Sequence, residues 1–458
     1  MGRLTRRFRG VVRREAHDLL HGGPPTLDLL RHVGPAVPSD AQVQQVLDVC
    51  MGVGELLLAS GEPAEETTET MLRMAAALGL PTVDIDITFN SITMCCHRGM
   101  VAAPLTTMRI VRYRTTDLTR MAAVSRIVAR VERHGLSVHR AAEELADAVA
   151  ANHPYPRWAA TLGWAGQAAA VAVLLGGGLT IAASAFAVTA LIDRLGRLLG
   201  RFGVAPFFLQ MVGAMVATVS TLALFGIGAL PAGTQSSLVI AAGITVLLSG
   251  LSVVGTVQDA ISGFYVTAAG RAAEVAVLSA GLLTGVILGL KLGVAFKLTL
   301  DPAEPVAADF ARFWLCAFAA ATAAAMYALA TYAPIRSLLA AGLAGGIGWA
   351  VYGELTLIAH LGPVVSTGVA ATFVGIATGF ARRGSGVHSH VIVLAGIIPL
   401  LPGLTAYRGF YQLAVQDVVD GLVTVLLALA IGLALAAGVA LGNFVARPRV
   451  TRAVVQPD

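Results

Sequence analysis

The chain has 458 residues, of which 56% are hydrophobic and only 13% are charged, and it contains 50 glycines with a mean hydropathy of +0.76. Soluble globular proteins carry about 25% charged residues. This deficit excludes a disordered chain, a collagen and a coiled coil, and it argues against an ordinary soluble enzyme. The net charge of +5 is small for this length and predicts no nucleic-acid partner. The composition indicates a polytopic membrane protein.

The charges are unevenly distributed along the chain. Residues 1–157 hold 18 Arg and 17 Asp/Glu, whereas residues 158–458 hold 14 Lys/Arg and 10 Asp/Glu. At the boundary, Pro154 and Pro156 end a helix, and Trp158 suits a membrane interface. We therefore predict five regions: a basic, disordered N-terminus at 1–39, an α+β cytoplasmic domain at 40–157, membrane halves at 158–292 and 310–446, and a cytoplasmic tail at 447–458.

The α+β domain begins with two predicted helices, at 40–60 and 62–78, and the second has its acidic residues in its first two turns. Strict alternation predicts a strand at Val83–Phe89, which pairs as a hairpin with Ser91–Cys96. A third strand is expected at Arg109–Arg114, and two helices follow at about 117–134 and 137–151.

No catalytic or nucleotide-binding motif is present in the sequence, since it has no Walker loop, GxSxG, HExxH or CxxC. Without a Walker loop, ATP-driven transport is also disfavoured. The four cysteines follow no metal-binding spacing and are expected to be reduced thiols: Cys50, Cys95, Cys96 and Cys316. We therefore predict a protein that is not an enzyme and that has neither a cofactor nor a metal site.

Ten membrane spans follow from the apolar segments, because a helix needs about 20 apolar residues to cross the bilayer core. The expected spans lie near 159–176, 178–193, 204–226, 237–257, 267–290, 311–330, 335–352, 362–381, 388–405 and 419–444. The stretch from Lys291 to Asp309 is predicted to be a loop. With ten spans and the N-terminus inside, arginine-rich loops and the tail fall on the inner side, as the positive-inside rule requires. We expect both termini in the cytoplasm and the protein in the plasma membrane.

An internal repeat relates the two membrane halves at an offset of 153 residues, because Leu247–Leu251 resembles Leu400–Leu404. Each segment lies in the fourth span of a five-span half, so the two halves have opposite orientations in the membrane. Inverted repeats of this kind are typical of secondary transporters, whose substrates bind near the midplane at broken helices. The candidate breaks are Ser249-Gly250 and Pro402-Gly403.

Ionisable residues near the spans are candidates for a substrate or proton pathway, because charges at membrane depth are costly. Asp259 follows the fourth span, and Arg271 and Glu274 share a helix face at the start of the fifth. Arg271 and Glu274 form either a structural pair at the cytoplasmic rim or a gate or substrate contact, and the sequence leaves both interpretations open.

Further candidates lie in the second half. Glu354 is placed between the seventh and eighth spans, and Asp417 and Asp420 flank the start of the tenth. Each is either a proton-carrying carboxylate or an interfacial charge. Arg408 follows Tyr407 just after the second break, where it either clamps a substrate carboxylate or extends to the interface.

The order and spacing of several motifs resemble the threonine/serine exporters of actinobacteria. The matching segments are Leu57–Glu65 in the α+β domain, Gln258–Gly263 followed by Ala269–Glu274 in the first half, and Ile398–Gly403 in the second. The resemblance covers roughly residues 40–445. It implies a cytoplasmic domain followed by ten spans in two halves of five, and proton-motive-force-driven export of threonine and serine.

The favoured hypothesis is a secondary exporter of small amino acids that works by alternating access between two inverted halves. Its expected partners are threonine or serine, protons and the lipid bilayer. One alternative is export of a small dicarboxylate such as succinate. An alternative of another class is a membrane-anchored sensor, although ten glycine-rich spans with ionisable residues are excessive for an anchor. The oligomeric state stays open, a homo-oligomer included.

Overall fold

The structure is a computed structural model. It describes residues 39–80, 82–98, 102–114, 117–230, 235–248, 250–298, 300, 310–384 and 389–446, without the side chains of 250–251, 378–384 and 389–391. Ser249, the C-terminal tail and all but the last residue of the predicted disordered N-terminus lie outside the described residues.

An α+β unit, residues 39–150, forms the N-terminal part. Its helices are α1 (Asp40–Ala59), α2 (Ala64–Ala77), α3 (Leu118–His134) and α4 (Val138–Ala150). Ser39 opens α1 with a capping box to Gln42. The Asp117 side chain accepts the backbone N–H groups of Thr119 and Arg120 at the start of α3. Gly135 ends α3 in the left-handed conformation, with φ +61°.

A three-stranded antiparallel sheet completes the unit in the order β1 (Val83–Thr88), β2 (Ser91–Cys96) and β3 (Leu105–Ile110). The hairpin of the first two strands matches the prediction. The predicted third strand, Arg109–Arg114, was placed too far along the chain. The reason is register: β2 has six residues, and Cys96 pairs with Leu105 while Ser91 pairs with Ile110. β2 therefore has no residue left to pair with the chain after Ile110, and the Val111 N–H donates to the Asn90 carbonyl of the hairpin turn at 2.7 Å.

Twelve helices follow in the described part of the chain, and we group them as two sets in which the fourth helical segment is broken. The first set contains α5 (Arg157–Leu174), α6 (Leu179–Arg201), α7 (Pro206–Gly226), the broken pair α8 (Ser237–Leu247) and α9 (Gly250–Ile261), and α10 (Tyr265–Ala295). The second set contains α11 (Phe313–Ala330), α12 (Ile335–Leu357), α13 (Pro363–Gly384), the broken pair α14 (Ser389–Gly396) and α15 (Gly403–Val415), and α16 (Val418–Ala446).

Within the described residues, six of these helices are long and apolar enough to cross a membrane, and eight spans result if each broken pair counts as one. Helix α5 is not among them, and α13 contributes a shorter apolar stretch, Pro363–Ala377. Membrane-spanning helices are therefore present, and the count of ten stays a prediction.

Two expectations about where loops begin were wrong, and residues 299 and 301–309 of the predicted Lys291–Asp309 loop lie outside the described residues. Helix α10 continues to Ala295, so Lys291 is helical, and α12 continues to Leu357, so Glu354 is helical instead of lying between spans. Long charged side chains near a helix end can extend to the interface while their stems stay apolar. A charge there therefore does not end the helix.

Glycine faces pack the third and fifth helices of each set closely. An added Cβ at Gly285 of α10 would collide with the Met211 carbonyl of α7. In the second set, an added Cβ at Gly438 of α16 would collide with the Gly368 carbonyl of α13. Small residues allow backbones to approach in this way, as in membrane helix pairs.

The α+β unit sits against one end of the helical part, which we call the proximal end. Ala64 of the unit contacts Asp259 near the end of α9, and Leu118 contacts Thr331 just after α11. One buried apolar cluster continues from the core of the unit to Tyr327 of α11. The unit therefore touches both helical sets at the same end.

Candidate functional site

Both fourth helices bend by 47° at their breaks. Leu248 leaves α8 in an extended conformation, and Leu401 does the same before α15. The breaks lie at the predicted positions, although Ser249 itself is outside the described residues. The side-chain amide of Gln210 on α7 donates to the Leu247 carbonyl at 2.9 Å. This bond satisfies the Leu247 carbonyl, which the break leaves without a helical partner. Backbone groups inside a membrane protein need such partners because little water reaches them.

The two breaks meet at the contact between α8 and α15. Gly403, the first residue of α15, lies so close to Thr245 that an added Cβ would collide with the threonine hydroxyl. Every residue of α8 from Ser237 to Thr245 is buried. A glycine is therefore required at this crossing, and α8 is enclosed by its neighbours.

Thr189 differs from other buried threonines of the helical part. Thr218, Thr221 and Thr245 each donate their hydroxyl to the carbonyl four residues earlier, at 2.7–2.9 Å. The Thr189 hydroxyl is buried and has no hydrogen-bond partner among the described residues. A methyl group added at Gly243 of α8 would lie 4.0 Å from it without a clash. A small space therefore adjoins an unused hydroxyl beside α8.

Two more buried hydroxyls, those of Ser237 and Tyr407, lie between α8 and α15. Tyr407 is fully buried, and its hydroxyl is near that of Ser237, but their geometry completes no hydrogen bond within the described part of the chain. Each buried hydroxyl without a partner costs about 1–3 kcal/mol. Such groups are candidates to bind a polar ligand.

Asp259 and Arg271 form an ion pair that is closed to solvent. The side chain of Asp259 is 0% exposed and that of Arg271 is 2% exposed, and their Oδ2 and Nη1 atoms are 3.0 Å apart. The other carboxylate oxygen accepts the Ala64 N–H at 2.7 Å, and the guanidinium donates to the Glu62 carbonyl at 2.8 Å. Breaking a buried ion pair by removing one partner costs about 3–5 kcal/mol. The pair therefore holds the loop before α2 firmly.

Three further contacts extend this junction along α10. The Thr267 hydroxyl donates to the Ile87 carbonyl at 2.8 Å and accepts the Phe89 N–H at 3.0 Å, so it extends the end of the β1–β2 hairpin. Glu274 pairs with Arg114 at 2.7 Å. The predicted face of Arg271 and Glu274 is thus turned toward the α+β unit, where Arg271 pairs with Asp259 and Glu274 with Arg114 instead of with each other. A role of these residues in a gate or substrate contact stays a prediction.

The remaining predicted residues do not join this junction. Glu354, Asp417 and Asp420 are exposed, and Arg408 is half-buried. Asp417 accepts the N–H groups of Val419 and Asp420 and so caps α16. A role of these four charged residues in a substrate or proton pathway stays a prediction.

A second junction, which no sequence pattern indicated, joins the α+β unit and the segment directly after it to the turn between α11 and α12. The Leu118 N–H donates to the Thr331 carbonyl at 3.0 Å, and the Thr119 hydroxyl donates to the Tyr332 carbonyl. The His153 ring stacks on Tyr332 with centroids 4.1 Å apart. The acceptors are main-chain carbonyls, so no residue type marked them in the sequence.

A cavity of about 380 Å³ lies at the proximal end between α2, α9 and α16. Its volume is within the range of small-molecule sites. Its polar lining combines carboxylates, side-chain amides and a hydroxyl: Glu65, Glu66, Gln258, Ser262 and Asn443. The Ser262 hydroxyl donates to Glu65 at 2.5 Å. The cavity therefore lies where the first helical set, the second helical set and the α+β unit meet.

Two family models match the chain. One, described as "Putative threonine/serine exporter", matches residues 48–293, and another, described as "Threonine/Serine exporter, ThrE", matches residues 316–445. The "Probable threonine/serine exporter" of Mycobacterium tuberculosis is 37% identical over 420 residues, which are 89% of this chain and 78% of that protein. The "Threonine/serine exporter" of Corynebacterium glutamicum is 33% identical over 442 residues, 93% of this chain and 89% of that protein. No solved structure matches. The chain therefore belongs to the threonine/serine exporter family of membrane transporters.

Proposed function

We propose that this protein exports threonine and serine across the plasma membrane, driven by protons moving inward, and that it works by alternating access. The observation that carries the proposal is the crossing of two broken helices, at Gly403 and Thr245, in a chain of this family. Broken helices at the contact of two repeats are where secondary transporters bind their substrates.

An inverted relation between the two helical sets supports this mechanism. Helices α5 and α11, the first of each set, are antiparallel, because Gly163 packs on Ala330 while Gly166 packs on Met326. The fifth helices are also opposed, since α10 begins at the proximal end and α16 ends there. We therefore propose two five-span halves with inverted topology, ten spans in all and both termini in the cytoplasm.

The substrate site that we propose surrounds the buried helix α8. Among the described residues the Thr189 hydroxyl has no partner and the Tyr407 hydroxyl has only the nearby Ser237 hydroxyl, and an amino acid supplies polar atoms that can satisfy them. The N-terminus of α15 follows Pro402, whose side chain cannot cap it. Helix N-termini favour anions, so the substrate carboxylate is placed there. The proximal cavity is the proposed entry from the cytoplasm.

The test is flux in proteoliposomes with an imposed pH gradient. Labelled threonine and serine should move against the proton flux, and a protonophore should abolish the accumulation. Gradient-dependent flux of succinate but not of either amino acid would reassign the substrate class. No gradient-dependent flux of any of these compounds would remove the proposal.

A matched pair of variants tests the site. Thr189→Val removes the unused hydroxyl without changing the shape of the side chain, and we expect about a 5- to 30-fold loss of flux, equivalent to one hydrogen bond to the substrate. The control is Thr218→Val, whose hydroxyl is committed to the Ala214 carbonyl. Equal flux in the two variants would exclude Thr189 from the site.

A further inference from the structure

We infer that the α+β unit carries a binding site of its own, which takes a small zwitterionic amino acid and is separate from the transport site. The site is a cavity of about 370 Å³ between α3 and the end of α4, which we call the α3–α4 cavity. Its volume is within the range of small-molecule sites. All the residues that line it lie between 117 and 153, so it shares no residue with the substrate site proposed around α8.

Small side chains leave the space between the two helices open. Ala123 and Ile127 line the cavity from α3, and Ala148 and Ala151 line it from the end of α4. Alanine side chains are too short to close a gap between two helices, and the buried Ile127 adds an apolar wall. The α3–α4 cavity therefore suits a ligand with a short aliphatic part.

Charges of both signs surround this apolar floor, and most of them are already paired. The Arg120 Nε atom lies 3.4 Å from the Asp117 carboxylate, which also lies 3.1 Å from His153 Nδ1. Arg130 donates to the Glu144 carboxylate at 2.5 Å. Two arginines and two carboxylates of the lining therefore neutralise each other.

Arg126 and Asp147 are the remaining charges of the lining, one of each sign. Neither side chain makes an ion pair or a hydrogen bond within the described part of the chain, and both are exposed at the cavity. A guanidinium binds a carboxylate through two parallel hydrogen bonds, and a carboxylate binds an ammonium group. A molecule that carries both groups, an α-amino acid, can therefore satisfy both side chains at once.

A multivalent anion such as phosphate fits the same lining less well. Three arginines would attract it, but three carboxylates line the cavity with them and repel it. A zwitterion brings no net charge, and each of its charged groups meets an opposite one. The balance of charge in the α3–α4 cavity therefore favours an amino acid over an anion.

The α3–α4 cavity also adjoins the contact with the second helical set. Thr119 and His153 both line the cavity. The Thr119 hydroxyl donates to the Tyr332 carbonyl, and the His153 ring stacks on the Tyr332 ring. An occupant of the cavity is therefore separated from the α11–α12 turn by a single side chain. This position is suited to regulation of transport by an amino acid.

A threonine titration of the full-length protein, followed by hydrogen exchange and mass spectrometry, tests the site. The choice of threonine as the probe rests on the proposed function. Residues 149–153 adjoin the cavity and are exposed, so their amides exchange by local opening. A ligand that binds only the closed form at about ten times its Kd should slow this exchange about tenfold. Exchange that stays unchanged at all threonine concentrations would overturn the inference.

Two variants remove the charges that we assign to the ligand. Arg126→Gln and Asp147→Asn should each raise the Kd from this titration by about fivefold or more, because each loses a hydrogen bond between charged groups. The matched controls are Arg133→Gln and Glu143→Gln, which change exposed charges of the same helices outside the cavity lining. These controls should stay within about twofold. Equal Kd values in the variants and the controls would contradict the assignment.

Two analogues of threonine test whether both charges of the ligand are needed. β-Hydroxybutyrate lacks the ammonium group, and threoninol lacks the carboxylate. Neither should slow exchange at concentrations at which threonine does. If β-hydroxybutyrate or inorganic phosphate acted as strongly as threonine, the cavity would be an anion site and the inference would be wrong.

Thr189→Val separates this site from the transport site, because it alters only the latter. The threonine titration at residues 149–153 should be unchanged in this variant. Loss of the response would assign it to the transport site and overturn the inference. Absence of flux together with an intact titration would count against the proposed function alone.

Discussion

Replacing Asp259 with asparagine perturbs the junction between the α+β unit and the first helical set at its centre. Asparagine keeps the shape and can still accept the Ala64 N–H, but it leaves the Arg271 guanidinium buried without a charged partner. Loss of one member of a buried pair costs about 3–5 kcal/mol. At 1.36 kcal/mol per power of ten, the equilibrium constant for docking of the loop before α2 should fall by about two to nearly four orders of magnitude.

Hydrogen exchange measured by mass spectrometry reports this local opening. The backbone amides of the peptide containing Gly61–Ala64 should exchange faster in Asp259→Asn, by about the same factor as the weakening of loop docking. Glu274→Gln is the matched control, because its pair with Arg114 is partly exposed and such pairs are worth about 0–1 kcal/mol. The control should accelerate exchange less than about fivefold.

A double variant tests whether the unpaired charge, and not the loss of the side chains themselves, accelerates exchange. Asp259→Leu with Arg271→Met removes both charges, and buried ion pairs replaced in this way often lose little stability. Exchange in the double variant should therefore be slower than in Asp259→Asn. If Asp259→Asn exchanged within about threefold of the unaltered protein, the pair would not hold the α+β unit.

Three other predictions concern packing and thiol chemistry. Gly403→Ala should abolish flux, because the added methyl group collides with Thr245 at the helix crossing. Gly243→Ala should fold normally and reduce the flux of threonine more than that of serine, because its methyl group fills the space beside α8. Both variants are tested by measuring flux and thermal stability. Gly285→Ala should destabilise the protein by about 1–3 kcal/mol in unfolding assays, whereas Gly196→Ala, which meets open space, should not. Burial raises the pKa of the Cys50 thiol to about 12, so the thiol stays protonated at pH 8. It should therefore resist labelling by maleimide until the protein is denatured. Labelling of the native protein would contradict its burial.

Several features were accessible from the sequence because they depend on local chemistry. The charge deficit after residue 157 follows from the apolar environment of membrane helices, and the β1–β2 hairpin follows from period-two alternation. The breaks near Gly250 and Pro402 were also predictable, since glycine and proline interrupt helices. The third strand was misplaced because an alternating pattern does not specify register, which the length of β2 decided.

The tertiary structure decided what the candidate residues contact. Sequence spacing placed Arg271 and Glu274 on one helix face, but it could not show that this face meets a loop 209 residues away. The partners there are a backbone N–H and carbonyls, which every residue has, so no residue type announces them. Thr189 was likewise invisible, because a threonine hydroxyl is used or unused only according to its neighbours. The sequence by itself determined where the chain is apolar and where its helices break, whereas only the folded chain decided which polar groups are satisfied within the protein and which are left for a ligand.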